Sequence, residues 1–239
     1  MTFFRVEKRF SGKSGVHQTF PNPAVVLFDL DGTLVDSATD ILSSLNEVVG
    51  HYGLPSVSEE YVRSLIGLGT KPLLEQVLRR YTNLEQGVDS QVGFLDAYAF
   101  FLSSYRETNG LYATLYPEVR SVLLKLIGRN LRIGVVTNRP SEFTASLLCR
   151  LGLDDLIEVV VCADQFGSYK PEPGMLLHAM RKLGGTTESS VMVGDSLSDV
   201  MAAKNAGMFS IYARYGYCLN VDECELCADC SIDSLLELL

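Results

Sequence analysis

Positive charge is scarce in this chain. Twenty lysines and arginines stand against 29 aspartates and glutamates, a formal net charge of -9. Such a chain is a poor candidate for holding nucleic acid or an anionic membrane by bulk charge, and any phosphate it handles must be gripped by local cations. No apolar run approaches the ~20 residues of a membrane span. Residues 1–23 carry Arg5, Lys8, Arg9 and Lys13 without an apolar centre, so they do not read as a secretory signal. They are expected to be a frayed or loosely docked N-terminal extension on a cytoplasmic protein. Internal repeats and low-complexity segments are absent. The three histidines, His17, His51 and His178, are isolated and take no assigned role.

Without a secretory signal, the six cysteines do not suggest a disulfide framework. Cys149 and Cys162 lie in apolar segments and are expected in the core. Cys218, Cys224, Cys227 and Cys230 crowd near the C-terminus. Cys-x-x-Cys spacing suits zinc, but three cysteines at successive i, i+3 steps are less typical of a zinc site than two separated knuckles. Reduced loop and core cysteines are the simpler reading, with metal or redox binding as the alternative.

The chain has 239 residues, 47% of them hydrophobic. That suits one large or two modest domains with a sizeable core. Its organising stretch is Val25-Val26-Leu27-Phe28-Asp29-Leu30-Asp31-Gly32-Thr33. The apolar run has the length and branching of a buried strand. Residues two apart on a strand share a side, so Asp29 and Asp31 can look into one pocket, and Gly32 permits a sharp turn. Two acids so close repel unless a cation lies between them or one keeps a proton.

Helical spacing follows at Ala38 to Val49, Glu59 to Ile66, Pro72 to Tyr81 and Phe94 to Tyr105, with a polar patch from Thr82 to Ser90. No strand is expected between Asp36 and Gly110, so residues 38–110 read as a helical insertion. From Val119 onward, helices alternate with apolar strands at Leu131 to Thr137, Ile157 to Val161, Ser190 to Gly194 and Phe209 to Tyr212. A short last helix is expected from Ile232 to Leu239. This alternation predicts an α/β fold with a parallel sheet covered on both faces, built from residues 24–37 and 111–239. Such sheets carry their sites at the carboxyl ends of the strands.

Four polar groups fall at those ends. At Asp29 and Asp31, one carboxylate can attack phosphorus, while the second protonates the leaving oxygen and then takes a proton from water. Thr137 and Asn138 can donate to phosphate oxygens, although alone they read as a turn and helix cap. Lys170, stiffened by Pro171 and Pro173, offers an ammonium that could screen phosphate from carboxylate; alone it reads as a solvated lysine. Asp195 ends a strand and Asp199 lies one helical turn later. Asp29, Asp195 and the Asp31 carbonyl would suit octahedral Mg²⁺, and capping by Asp195 or Ser196 is compatible with that.

Together Asp29-Leu30-Asp31-Gly32-Thr33-Leu34-Val35-Asp36-Ser37, Thr137-Asn138, Lys170-Pro171 and Gly194-Asp195-Ser196-Leu197-Ser198-Asp199 resemble the four signature motifs of the haloacid dehalogenase superfamily. The resemblance spans Val25 to about Ala213 and implies a Rossmann-like core with an inserted α-helical cap. It implies Asp29 as nucleophile and Asp31 as general acid/base and main-chain metal ligand. Thr137, Asn138 and Lys170 would bind phosphate; Asp195 would ligate Mg²⁺, and Asp199 would ligate or support it. Asp31 argues against dehalogenation, which does without this second acid. Gly194-Asp195 and the cap turn Gly67-Leu68-Gly69-Thr70-Lys71 lean away from sugar-phosphate mutases. The chain looks most like phosphoglycolate phosphatases, with Lys71 a candidate partner for a substrate carboxylate or, alternatively, a solvated residue at a helix start. The expected partner is a small phosphorylated metabolite, 2-phosphoglycolate first; nucleotides, pyrophosphate and sugar phosphates stay open. A regulatory protein on an inactive phosphatase fold is the non-enzyme alternative, and nothing in the sequence fixes an oligomeric state.

Overall fold

Val25 to Phe28 form β1, and all four side chains are fully buried. A strand of that composition needs strands on both sides and cover on both faces. In the computed structural model, which describes residues 23–81, 91–218, 222, 224 and 227–239, β1 has both. It pairs in parallel with β4 (Arg132–Thr137) and β6 (Ser190–Gly194). With β5 (Val159–Cys162), β7 (Phe209–Ala213) and β8 (Cys230–Ile232) the sheet has six strands in the order β5-β4-β1-β6-β7-β8, all parallel. Alternation along β1 divides the core. Val26 and Phe28 pack with α5 (Val119–Gly128) and α6 (Ser141–Arg150), while Val25 and Leu27 pack with α8 (Gly174–Lys182) and α9 (Leu197–Ala206).

Between β1 and β4 the chain builds α1 (Ala38–His51), α2 (Glu59–Arg63), α3 (Thr70–Arg79) and α4 (Gln91–Thr108). These helices form a cap with its own apolar cluster, including Leu45, Leu74, Val77, Phe101 and Tyr105. Phe143 of α6 belongs to the same cluster, so cap and sheet layers share packing. A two-stranded antiparallel ribbon, β2 (Val35–Asp36) with β3 (Thr114–Leu115), joins the outgoing and returning chain. Beside it, buried Asp40 accepts from the amides of Gly110 at 2.6 Å and Tyr112 at 2.7 Å.

Several elements differ from the sequence expectation. The ribbon strands and the short α7 (Ala163–Phe166) were not expected, because two- and four-residue segments show no periodicity. The expected terminal helix is instead β8 and a single 3₁₀ turn over Leu235–Leu238. Cys230, Ser231 and Ile232 find hydrogen bonds on the edge of β7 that local pattern does not reveal. Cys149 is exposed rather than in the core, since α6 turns Phe143, Thr144, Leu147 and Leu148 inward. The expectations for residues 1–22 and 82–90 lie outside the described residues. No helix among the described residues is long and apolar enough to cross a membrane.

Asp40 gives a direct test of the cap junction. Removing a charged acceptor from two amides is expected to destabilise the fold by about 2–3 kcal/mol, which for a chain of this size lowers Tm by about 4–12 °C. Thermal unfolding of Asp40→Ala checks this; a shift under about 2 °C would mean that the junction does not depend on those bonds.

Candidate active site

The central strand β1 lies where the chain order reverses, between β4 and β6. Clefts open at the carboxyl ends of strands at such a point. Asp29 and Asp31 follow β1, Thr137 and Asn138 stand at the end of β4, and Asp195 follows β6; all five are buried. Asp199 reaches the same point from the first turn of α9, where its Oδ2 accepts from the Ser196 amide at 3.1 Å and thereby caps the helix.

Lys170 binds these pieces together. Its Nζ donates to the Val136 carbonyl at 2.8 Å and to Asp199 Oδ1 at 2.6 Å, and lies 2.7 Å from Asp29 Oδ1. The contact with Asp29 is a buried ion pair, in which Lys170 is the partner of Asp29 Oδ1. Asp195 is held from two sides, by the Thr33 hydroxyl at 2.9 Å and the Tyr217 amide at 2.8 Å. Carboxylate oxygens of Asp29, Asp195 and Asp199 lie within 4.8 Å of one another. Glycines make this crowding possible: a Cβ on Gly32 (φ +91°) would fall 2.2 Å from Asp195 Oδ2, and one on Gly216 2.1 Å from Asp195 Cβ.

The electrostatics are unbalanced. Burial, opposed only in part by Lys170, pushes the Asp29 carboxyl up to about 7. Burial and the neighbouring Asp29 and Asp199 push Asp195 well up also. Burial works against the charge on Lys170, but Asp199 and Asp29 outweigh it and keep the ammonium protonated. Four buried carboxylates, Asp29, Asp31, Asp195 and Asp199, meet two buried cations, Lys170 and Arg139. A set of carboxylate oxygens with an excess of negative charge fits a hard divalent cation such as Mg²⁺.

The residues expected to contact substrate divide. Thr137 lines a small pocket between sheet and cap, floored by Asp29 and Asp31 and roofed by Gly67, Thr70 and Tyr105. Asn138 also lines it, but its side chain is spent on the protein. Asn138 Oδ1 accepts from the Lys170 amide at 2.9 Å, and its Nδ2 donates to the carbonyls of Gly67 at 2.8 Å and Lys170 at 3.2 Å. Asn138 thus positions Lys170 and the cap turn. Lys71 is exposed in the first turn of α3 and is not part of the pocket lining, which agrees with the solvated alternative for this residue. The four C-terminal cysteines do not gather as a metal group among the described residues; Cys218 and Cys224 have sulfurs 3.1 Å apart, and Cys230 is buried in β8.

Arg139 was missed. Its Nη1 donates to Asp31 Oδ1 at 2.6 Å, and Ser37 Oγ donates to the same oxygen. A cation directly after Thr137-Asn138 was the available signal. Tyr217 left none, because its amide reaches Asp195 from a loop beyond β7.

A family model for haloacid dehalogenase-like hydrolases matches residues 26–213. The chain belongs to this family of hydrolases. It is 37% identical over 216 residues to a phosphoglycolate phosphatase of Nitrosococcus oceani, covering 90% of this chain and 95% of that one. It is 38% identical over 210 residues to a plasmid phosphoglycolate phosphatase of Cupriavidus necator, covering 88% and 89%. A crystal structure described as a predicted phosphoglycolate phosphatase from Haemophilus somnus superposes with a TM-score of 0.85 at 28% identity, over 90% of this chain and 96% of that one.

The raised Asp29 carboxyl has a measurable sign. Between its usual 3.8 and about 7, the metal-free native state holds a proton that the unfolded chain has released. Stability contributed by this group is therefore greatest at low pH and lost as pH rises through that window. In a chelator, wild-type Tm is expected to fall by several degrees from about pH 5.5 to about pH 7.5, and Asp29→Asn to flatten most of the fall. Identical profiles for the two proteins would contradict the assignment.

Proposed function

We propose that the chain is a Mg²⁺-dependent phosphomonoesterase for a small phosphorylated metabolite, 2-phosphoglycolate foremost, working through a phosphoryl-Asp29 intermediate. The observation that carries this reading is the buried cluster at the strand ends, where Asp29 lies against a fixed ammonium and near a second acid. The phosphoglycolate phosphatases 37% and 38% identical to this chain support the substrate class.

Asp29 attacks phosphorus as the ester oxygen departs, and that oxygen takes a proton from Asp31. Water then attacks phosphoryl-Asp29, gives a proton back to Asp31 and releases inorganic phosphate. Lys170 offsets charge on the transferring group, and the Thr137 hydroxyl faces the same pocket. Asp29, Asp195 and the Asp31 carbonyl would hold Mg²⁺, which would supply the positive charge that lets a carboxylate approach a phosphate dianion. Asp199 supports by holding Lys170. Residues 38–110 act as a lid that keeps stray water from the acyl phosphate and reopens for release.

Hydrolysis of p-nitrophenyl phosphate is expected to require Mg²⁺ and stop in a chelator, and Asp29→Asn to lose at least about a thousandfold in kcat. Equal activity in Asp29→Asn would overturn the nucleophile, and chelator-resistant activity the metal. Ranked by kcat/KM across a phosphomonoester panel, 2-phosphoglycolate is expected first. A low rank would overturn that substrate and leave the reaction class standing.

A further inference from the structure

We propose that Arg139 and Tyr105 form the subsite that reads a carboxylate on the leaving group, an inference that rests on the phosphatase reading above. Arg139 follows Asn138 and is buried at the mouth of the sheet. Two of its three nitrogens are committed: Nη1 to Asp31 Oδ1 at 2.6 Å, and Nη2 to Asn109 Oδ1. Asn109 is fixed in turn, since its Nδ2 donates to the Phe143 carbonyl at 3.0 Å and to Ser146 Oγ at 2.8 Å. The guanidinium is therefore a clamped plane whose third nitrogen carries an uncommitted N–H. That nitrogen, Nε, is buried and has no hydrogen-bond partner.

Tyr105 approaches from the cap. Its hydroxyl is buried beside Arg139, and its ring centroid lies 5.0 Å from the guanidinium carbon of Arg139. Burial raises the phenol far above its usual range, so the hydroxyl stays a donor. Both residues line the pocket floored by Asp29 and Asp31. Buried donors without acceptors are rare in folded proteins and ask for an explanation. Here Arg139 Nε and the Tyr105 hydroxyl, one of them cationic, belong to residues that line the pocket beside Asp29 and Asp31. The group that answers both is acceptor-only and anionic. A carboxylate qualifies, with two oxygens and no hydrogen to misplace. A neutral hydroxyl in its place leaves the Nε–H poorly paired in a buried site, which is how a polar pocket rejects an analogue. The exposed Lys71 does not compete for this role.

The test compares 2-phosphoglycolate with 2-hydroxyethyl phosphate, which replaces the carboxylate by a hydroxymethyl group, in the Mg²⁺-loaded full chain. Wild type is expected to prefer 2-phosphoglycolate by at least about a hundredfold in kcat/KM. Tyr105→Phe is expected to cut that preference about tenfold, through a higher KM for 2-phosphoglycolate. Arg139→Lys, which keeps a cation for Asp31 but lacks Nε–H, is expected to cut it further, with the excess loss again on 2-phosphoglycolate. Equal wild-type rates on the two esters overturn the subsite, as do proportional losses on both esters in Tyr105→Phe. If Arg139→Lys does not fold, the Tyr105→Phe ratio decides alone. Failure of wild type on both esters and on p-nitrophenyl phosphate overturns instead the phosphatase reading beneath.

Discussion

One buried ammonium holds this structure's centre together. Lys170 lies between Asp29 and Asp199, away from water, with its main chain pinned on both sides by Asn138. A buried charge is tolerated only where partners and hydrogen bonds replace its hydration, and each partner here comes from a different segment: β1, the end of β4 and α9. Loss of any one leaves charge uncompensated in a dry site, so the geometry of the three strand ends is mutually enforced. The balance is also incomplete by design of its parts. Lys170 neutralises one carboxylate, Arg139 another, and two acids remain. On the proposed reading, a divalent cation would offset that difference.

The same polar framework joins the cap to the sheet. Tyr217 donates its amide to Asp195 and its hydroxyl to Asp36 at 2.7 Å, and Asp36 pairs with Arg63 of the cap at 3.1 Å. Asn138 bonds the carbonyl of Gly67, so the cap turn is tied to the residue that positions Lys170. Gly67 and Gly69 hold positive φ of 100° and 94°, a conformation that suits glycine; at Gly69 a Cβ would come within 3.3 Å of the Asn138 carbonyl. Cap position and the geometry of the strand ends therefore share hydrogen bonds, and the pocket beside Asp29 lies where the two layers meet.

Much of this was legible from the chain alone. β1, β4 and β6 are near-continuous apolar runs ending in polar residues, and that pattern reports both a buried parallel strand and the side at which a site forms. The residues that resisted reading are those whose partners are remote. β8 is too short to show alternation, and its place depends on an open edge of β7. Cys149 sits in an apolar helix yet points outward, because a helix exposes one face whatever its mean hydropathy. Lys71 looked like a substrate ligand because it follows the cap turn, but its position in the first turn of α3 leaves it in solvent. Asn138 was expected to touch phosphate and instead spends both ends of its amide on main chain. Arg139, next to it, had no motif to mark it; only the fold reveals that Asn109 and Asp31 close on its guanidinium and leave Nε uncommitted.

The central claim is that Asp29 is the residue that accepts the phosphoryl group. Acyl phosphates are reduced by borohydride, so an enzyme quenched with borohydride during turnover keeps a record of which carboxylate was phosphorylated. Peptide mass spectrometry is predicted to find homoserine at position 29 and unaltered aspartate at positions 31, 195 and 199. Homoserine at any of those other positions, or none anywhere in an enzyme that is turning over, would contradict the account.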